Sequence, residues 1–424
     1  MANAFNKEER IGFENVLEKF QDALVLSKQV TVSRPDSQMT ERSGNTIWLP
    51  VPPIMQSFAG TDMTGNWVDN TRLAVPATIG FPRSVPFELT GAEMRDPSQA
   101  NALREAAADK LASDINLAIM LIAGYQSTLV VSRPAASVGF DDVSQCEAIM
   151  NEQGVVQRYR NMALSTRDYN GMASDLANRN NMLGKKVENA WEEAYCGRVS
   201  AFDTFKLDYA NRLPAATATA TINGANQWYT PAATSTAITG ETSNVDNRYQ
   251  VLAVTVNAGL LQVGDAFTID GVFAVHHITK VSTGQLKTFR IINIVTGQGG
   301  TGTVTISPPI ISAGGGTDAE LQYQNVDATP ANRADLNFLN TADAYLNIFW
   351  QKDAFELLSG NYVIPANSGI DVLRATTDNK IEVMMTRQAG IDRLTCKYRF
   401  DIFFGVCCKQ PEMAGIMLFS QGQP

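Results

Sequence analysis

Between Ala215 and Pro330 the chain changes character. These 116 residues hold 11 charged side chains and none of the chain's 14 methionines or five cysteines. Thr, Gly and Val dominate. Runs rich in β-branched residues recur at Tyr249–Val256, Ala266–Ile269, Val272–Lys280, Thr288–Val295 and Thr303–Ile306, the pattern expected of strands. Asp270-Gly271, between two of them, reads as a two-residue hairpin turn. Five or so short strands in about a hundred residues suggest a small antiparallel barrel or sandwich. Met and Cys return after Pro330, so the segment is an insertion into another domain. The Thr/Ala run Ala215–Thr221 and the glycines Gly314–Gly316 read as its flanking linkers.

The host sequence around this insert is mixed. Phe13, Val16, Leu17, Phe20 and Leu24 recur at helical spacing and predict an amphipathic helix over Asn6–Ser27, with Asn6 and Glu9 as a capping pair. Ile47-Trp48-Leu49 and Leu73-Ala74-Val75 flank a Gly-, Thr- and Asp-rich stretch, which reads as a long two-stranded excursion. Such a hairpin is marginal alone and needs another surface. Asp96 as N-cap, Pro97 at the first position and Gly124 at the end bound a long helix. Leu103, Ala107, Leu111, Ile115, Ala118 and Ile122 mark its expected buried face, about 40 Å long at the helical rise. Shorter helices are expected around Val143–Asn151 and Arg167–Leu176, and a strand over Tyr398–Cys408.

Composition excludes several functions. The 424 residues suffice for a large core, and charged residues are only 18%. A net charge of −9 argues against a protein that grips nucleic acid, which needs clustered Lys and Arg. No apolar run reaches the 18 or so residues that span a bilayer. MANAFNKEER lacks the basic and apolar regions of a signal peptide, so synthesis in a cytoplasm is expected. Five cysteines without a CxxC pair fit reduced thiols rather than disulfides or a zinc site. With only His276 and His277, the chain is poorly equipped for general-base or metal chemistry.

Few motifs survive scrutiny. Gly297, Gly299 and Gly302 spell GxGxxG, but a strand and Pro308-Pro309 follow where a dinucleotide site needs a helix. His276-His277 reads as part of a strand, with rings on opposite faces that cannot share a metal. Cys407-Cys408 divides the same way, half of the pair in the core. Glu14, Glu18 and Asp22 form a like-charge stripe at i, i+4 and i+8, either a docking site for a cationic protein segment or a solvated face softened by Lys19. Glu241, Asp246 and Arg248 gather in Gly240–Arg248, either an inter-subunit contact or an ordinary polar loop.

Four stretches carry a resemblance: Ser43–Pro52 (SGNTIWLPVP), Asn244–Tyr249 (NVDNRY), Asn347–Gly369 (NIFWQKDAFELLSGNYVIPANSG) and Tyr398–Ile416 (YRFDIFFGVCCKQPEMAGI). In this order along the whole chain they resemble the major capsid (coat) proteins of short-tailed enterobacterial double-stranded DNA phages, an α+β Hong Kong 97-type fold with an inserted β-barrel domain.

The resemblance implies a division into an N-terminal arm (1–35), an E-loop (about 40–85) and peripheral domain with its spine helix (36–130), an axial domain (131–215), an inserted barrel (216–330) and a C-terminal completion of the axial and peripheral domains (331–424). It implies hexamers and pentamers of an icosahedral head that assemble in the host cytoplasm around a scaffolding protein, meet a portal protein, and expand as DNA is packaged without sequence-specific binding. It makes Glu14, Glu18 and Asp22 candidates for scaffold contact. Glu241, Asp246 and Arg248 become candidates for contact between capsomers, and Trp67, Asp69 and Arg72 for E-loop contact with a neighbouring subunit. No cofactor, metal, membrane or catalytic residue is expected. Asn45–Glu88 has Arg72 and Arg83 but no Lys, so the isopeptide crosslink of some relatives is not expected, arginine remaining protonated. With so short a run before the first strand, a fused scaffold is not expected. The competing readings are a β-rich surface adhesin or ligand-binding module, disfavoured by reduced cysteines and the missing signal peptide, and a hydrolase, disfavoured by scarce His.

Overall fold

The computed structural model describes residues 5, 7–35, 44–65, 67–178, 196–207, 211–296, 299–362, 370–390 and 394–422. The chain divides into two compact units. One holds Met1–Ile47, Pro76–Ile119 and Phe355–Cys407; the other holds Trp48–Val75, Met120–Ala354 and Cys408–Pro424.

In the first unit, helix α1 (Lys7–Ala23) buries Phe13, Val16 and Phe20, and Leu24 follows just past its end; Leu17 is half-buried. Asn6, half of the expected capping pair, lies outside the described residues. Helix α2 (Pro97–Gln126) begins with the Ser98 N–H donating to Asp96 Oδ1 (3.0 Å), the expected cap. It continues through Gly124, two residues past the expected stop. Its buried face also differs from expectation. Ala107, Leu111 and Ile115 are buried, but Leu103 is exposed and Ala118 and Ile122 are half-buried; Ala108, Ala112 and Ile119 take their places. Every fourth residue gains about 40° per step at 3.6 residues per turn, so a strict i+4 series walks off one face. Buried Asn116 on α2 closes the end of α1, donating to the Ala23 carbonyl (3.2 Å) and accepting from the Leu26 N–H (3.3 Å).

The first unit's sheet runs Thr31–Ser33, Phe355–Ser359, Thr395–Cys408, Glu382–Gly390, Asp371–Thr376, with Phe81–Thr90 also paired to Thr395–Cys408. Phe13 of α1 stacks on Phe400 at 6.4 Å, and Phe87 on Tyr398 at 5.4 Å. Gly405 lets Thr78 cross closely: a Cβ there would meet the Thr78 carbonyl at 2.2 Å. Cys407 and Cys408 are both buried, not divided between core and surface, because both faces of this strand end are covered.

In the second unit a sheet runs Leu129–Ser132, Ala414–Leu418, Asn347–Gln351, Arg160–Ser165, Phe202–Leu207, Arg198–Val199. Helices α3 (Phe140–Glu152) and α4 (Thr166–Asn178) lie against it, and Val143, Cys146, Met150, Tyr169 and Met172 share a core with Met162, Phe202, Phe349 and Met417. The central strands are buried on both faces, with apolar residues Met162–Leu164, Ile348–Trp350 and Ala414–Leu418 at their centres and buried polar residues at the ends of the first two.

The insert forms a closed barrel of β1 (Thr219–Ile222), β2 (Gln250–Ala258), β3 (Ala266–Val275), β4 (Ser282–Thr296), β5 (Gly300–Ser307) and β6 (Asp335–Phe338), paired in the order β1-β2-β5-β4-β3-β6 and back to β1. Leu252, Val254, Phe267, Ile269, Phe289, Ile291, Val304 and Ile306 fill it.

Five expectations are corrected in the insert. Asp270-Gly271 is no hairpin turn: β3 continues through it with a register shift, and Gly271 at φ +76° supplies the bulge. His276-His277 lies in a turn after β3, not in a strand. The Thr/Ala run contributes β1 rather than a linker. The closing strand β6 lies beyond position 330; Arg333 just before it and Asp335 at its start disguised it as host sequence. Leu213 pairs with Ala344, so the chain enters and leaves the barrel side by side. Gly314–Gly316 leads into the short helix α5 (Asp318–Tyr323) instead of out of the insert.

Candidate functional site

Three exposed surfaces and one buried joint hold the residues of interest. On α1, Glu14, Glu18 and Asp22 are exposed together, opposite the face that buries Phe13, Val16 and Phe20. Lys19 turns away to Glu105 (3.1 Å) and Asp109 (3.2 Å) on α2, so it does not neutralise the stripe. The helix is held by a residue for which the sequence suggested another role. Glu9 accepts from both Nη1 of Arg387 (2.7 Å) and the Tyr398 hydroxyl (2.9 Å), and Arg387 also donates to Asp371 (2.7 Å). Glu9 is buried, so removing either partner leaves a desolvated charge unpaired and costs more than breaking a surface ion pair.

The excursion begins and ends with paired strands, Thr46–Pro50 and Ala74–Thr78. Its returning arm lies against the chain's own α5. Gln322 donates to Asn70 (2.6 Å) and accepts from the Thr71 N–H (3.0 Å), while Tyr323 donates to the Thr71 carbonyl (2.8 Å). The surface this excursion needs is thus partly supplied within the second unit. Its tip is open: Met55, Phe58 and Trp67 are exposed, Trp67 by 87%, and Asp69 and Arg72 are exposed beside it.

The insert's polar loop is a small hairpin, Thr234–Thr236 against Thr242–Asn244, exposed at every strand position. Ile238 and Glu241 stand at its tip. Asp246 and Arg248 belong to its base. Arg248 grips Asp246 through Nε (2.9 Å) and Nη2 (2.6 Å), donates to the Cys408 carbonyl (2.8 Å) and lies over the Tyr249 ring. The expected trio is therefore split: Glu241 faces outward, while Asp246 and Arg248 anchor.

Strand β4 joins barrel to body. Phe289 and Ile291 enter the barrel core, while Thr288 donates to the Thr128 carbonyl (2.7 Å) and Arg290 donates to Gly264 (3.0 Å), Gly124 (2.9 Å) and Ser127 (3.3 Å). Burial drives the Arg290 guanidinium down to about 10, still charged at neutral pH. Lys287 donates to Gln153 (2.8 Å) and Glu412 (2.6 Å). At the neck, buried Asn340 donates to Pro214 and Asp265 and accepts from the Ala266 N–H. None of Lys287, Arg290, Asn340 or Glu412 stood out in the sequence. The available signal was two basic residues inside an apolar strand of a charge-poor insert.

The family model described as P22 coat protein, gene protein 5, matches residues 1–420. The chain belongs to the P22 coat protein family. Among solved structures it is similar to the CUS-3 coat protein I-domain, 42% identical over 30% of this chain and 99% of that one, TM-score 0.23. It is also similar to a Mycobacterium phage Che8 structure (10% identity, 93% and 90% covered, TM-score 0.42) and the capsid of the Cyanophage P-SCSP1u (11%, 92% and 86%, TM-score 0.44). As a P22-type coat protein the chain is a structural subunit that self-assembles into the icosahedral shell of a phage head, not an enzyme. Its α+β body with an inserted closed barrel is the Hong Kong 97-type capsid fold of that family.

Proposed function

We propose that this P22-type coat protein assembles around a separate scaffolding protein and meets a portal protein, then expands without covalent crosslinks as double-stranded DNA is packaged. The arm, E-loop, peripheral, axial and inserted domains take the boundaries read from the sequence, with the barrel extended to include β6. The acidic stripe on α1 receives a cationic scaffold segment, the excursion tip with Trp67, Asp69 and Arg72 lies on a neighbouring subunit, and the hairpin tip at Glu241 reaches the next capsomer. An acidic subunit, at net charge −9, holds packaged DNA loosely. The lysine-free segment Asn45–Glu88 provides no amine for an isopeptide bond.

The observation that carries this reading is the exposed acidic face of a helix anchored on its other side by Glu9 and Arg387. Like charges at i, i+4 are unfavourable in an isolated helix by a few tenths of a kcal/mol, a cost that a cationic partner relieves. Glu14→Lys with Glu18→Lys tests it. The double variant folds with unchanged circular dichroism but does not assemble with scaffolding protein. Normal shells from that variant would sink the docking assignment.

A further inference from the structure

The two histidines were the chain's least promising chemistry, yet one sits at the barrel's attachment. His277, in the turn after β3, has a side chain only 18% exposed, with Nε2 3.5 Å from Glu412 Oε2. The other Glu412 oxygen receives Lys287 (2.6 Å) and Asn325 (3.2 Å). The His277 N–H donates to the Gln153 carbonyl (3.4 Å). Lys280 in the same turn donates to the Gln324 carbonyl (3.0 Å), and His276 accepts the Ile278 and Thr279 N–H groups on Nδ1. One carboxylate thus faces a buried ammonium, a second lysine and an imidazole, from β4, the β3 turn and the Pro411–Met413 segment.

We propose that this end of the joint is an acid-sensitive coupling, in which protonation of His277 opens the contact between the β3 turn and Glu412 while barrel and body stay folded. The Glu412 carboxylate is already neutralised by Lys287 at 2.6 Å. A protonated His277 would place a third cation beside that single anion, in a site where Lys287 is fully buried and His277 mostly so. Burial, with Lys287 and Lys280, drives the imidazole down to about 4 against the pull of Glu412. Although burial opposes it, Lys287 holds Glu412 ionised to about pH 2, so the carboxylate keeps its charge throughout the His277 transition.

The sign follows from proton linkage. An imidazole with a lowered pKa in the closed joint binds its proton more tightly once the joint opens. Opening is therefore favoured as pH falls from about 6.5, the free value, to about 4, by up to about 10²-fold. Above pH 6.5 the joint gains nothing further from this group. Arg290 itself donates to backbone carbonyls and does not titrate in this window; Asp265 beside it, its carboxyl raised by burial, is held by Asn340.

Selectively ¹³C-labelled histidine in the full chain, followed by NMR from pH 7.5 to 3.5, reads the coupling directly. Amide hydrogen exchange corrected for intrinsic rate is measured in parallel. His277 titrates near pH 4, and protection over residues 276–281 and 411–413 falls at least tenfold between pH 6.5 and 4. Residues 252–254 and 289–291 in the barrel core stay protected. In His277→Gln, which is neutral throughout, protection of the joint is flat over the same range. Titration of His277 near 6.5, or an unchanged acid transition in His277→Gln, would overturn the proposal. So would simultaneous loss of protection in joint and barrel core.

Discussion

Arg290, on a strand of the inserted barrel, donates to the carbonyl oxygen of Gly124 in the last turn of the long helix at 2.9 Å. The final carbonyls of a helix have no partner within it, and here a fully buried guanidinium supplies one. The same side chain reaches Ser127 and Gly264, so one residue ties the helix end, the loop after it and the barrel together.

Replacing Arg290 by Met keeps most of its apolar volume but orphans these carbonyls. The variant loses roughly 3 kcal/mol or more of stability, read from urea unfolding of the monomer. Arg290→Lys recovers only part of it, since one ammonium cannot reproduce the planar fork. An unchanged midpoint for Arg290→Met would mean that the capping contacts are dispensable.

Glu9→Gln keeps the size of the side chain but removes the charge that Arg387 and Tyr398 share. The expected cost is about 1–3 kcal/mol. A double-mutant cycle with Arg387→Met should show coupling on the order of 1 kcal/mol; additive effects would mean that the two residues do not act as a clamp.

These two residues mark the limit of what could be read from the sequence. Helical spacing located α1 and α2, and the loss of Met and Cys located the insert, because those signals are local. Glu9 was legible only as a capping partner, since Arg387 and Tyr398 lie hundreds of positions away. Asp270-Gly271 matched a hairpin rule although it forms a bulge, because the dipeptide suits any left-handed backbone position. Strand β6 escaped notice because a closing barrel strand needs only four residues, and composition averages over more. Among site residues, the acidic stripe followed from periodicity, whereas the split between outward Glu241 and the Asp246–Arg248 anchor depended on tertiary contacts.

Ile238 at the hairpin tip is fully exposed. Ile238→Asp therefore changes monomer stability by no more than about 0.5 kcal/mol, while shells formed from it dissociate at lower urea than the parent. Equal shell stability would remove the hairpin tip from the inter-capsomer contact.

All five cysteines are buried and unbridged, and burial pushes the Cys146 thiol well above its ordinary range. The native chain at pH 8 should react with less than one equivalent of an aromatic disulfide reagent over the time in which the denatured chain takes up all five. Rapid native labelling of two or more thiols would contradict the packing around Cys407 and Cys408.

The most direct test of the central claim is electron microscopy of the full chain produced in bacteria with and without a co-expressed scaffolding protein. The account predicts closed shells of uniform size in the first sample and irregular shells or spirals in the second. Monomers alone in both samples would contradict it.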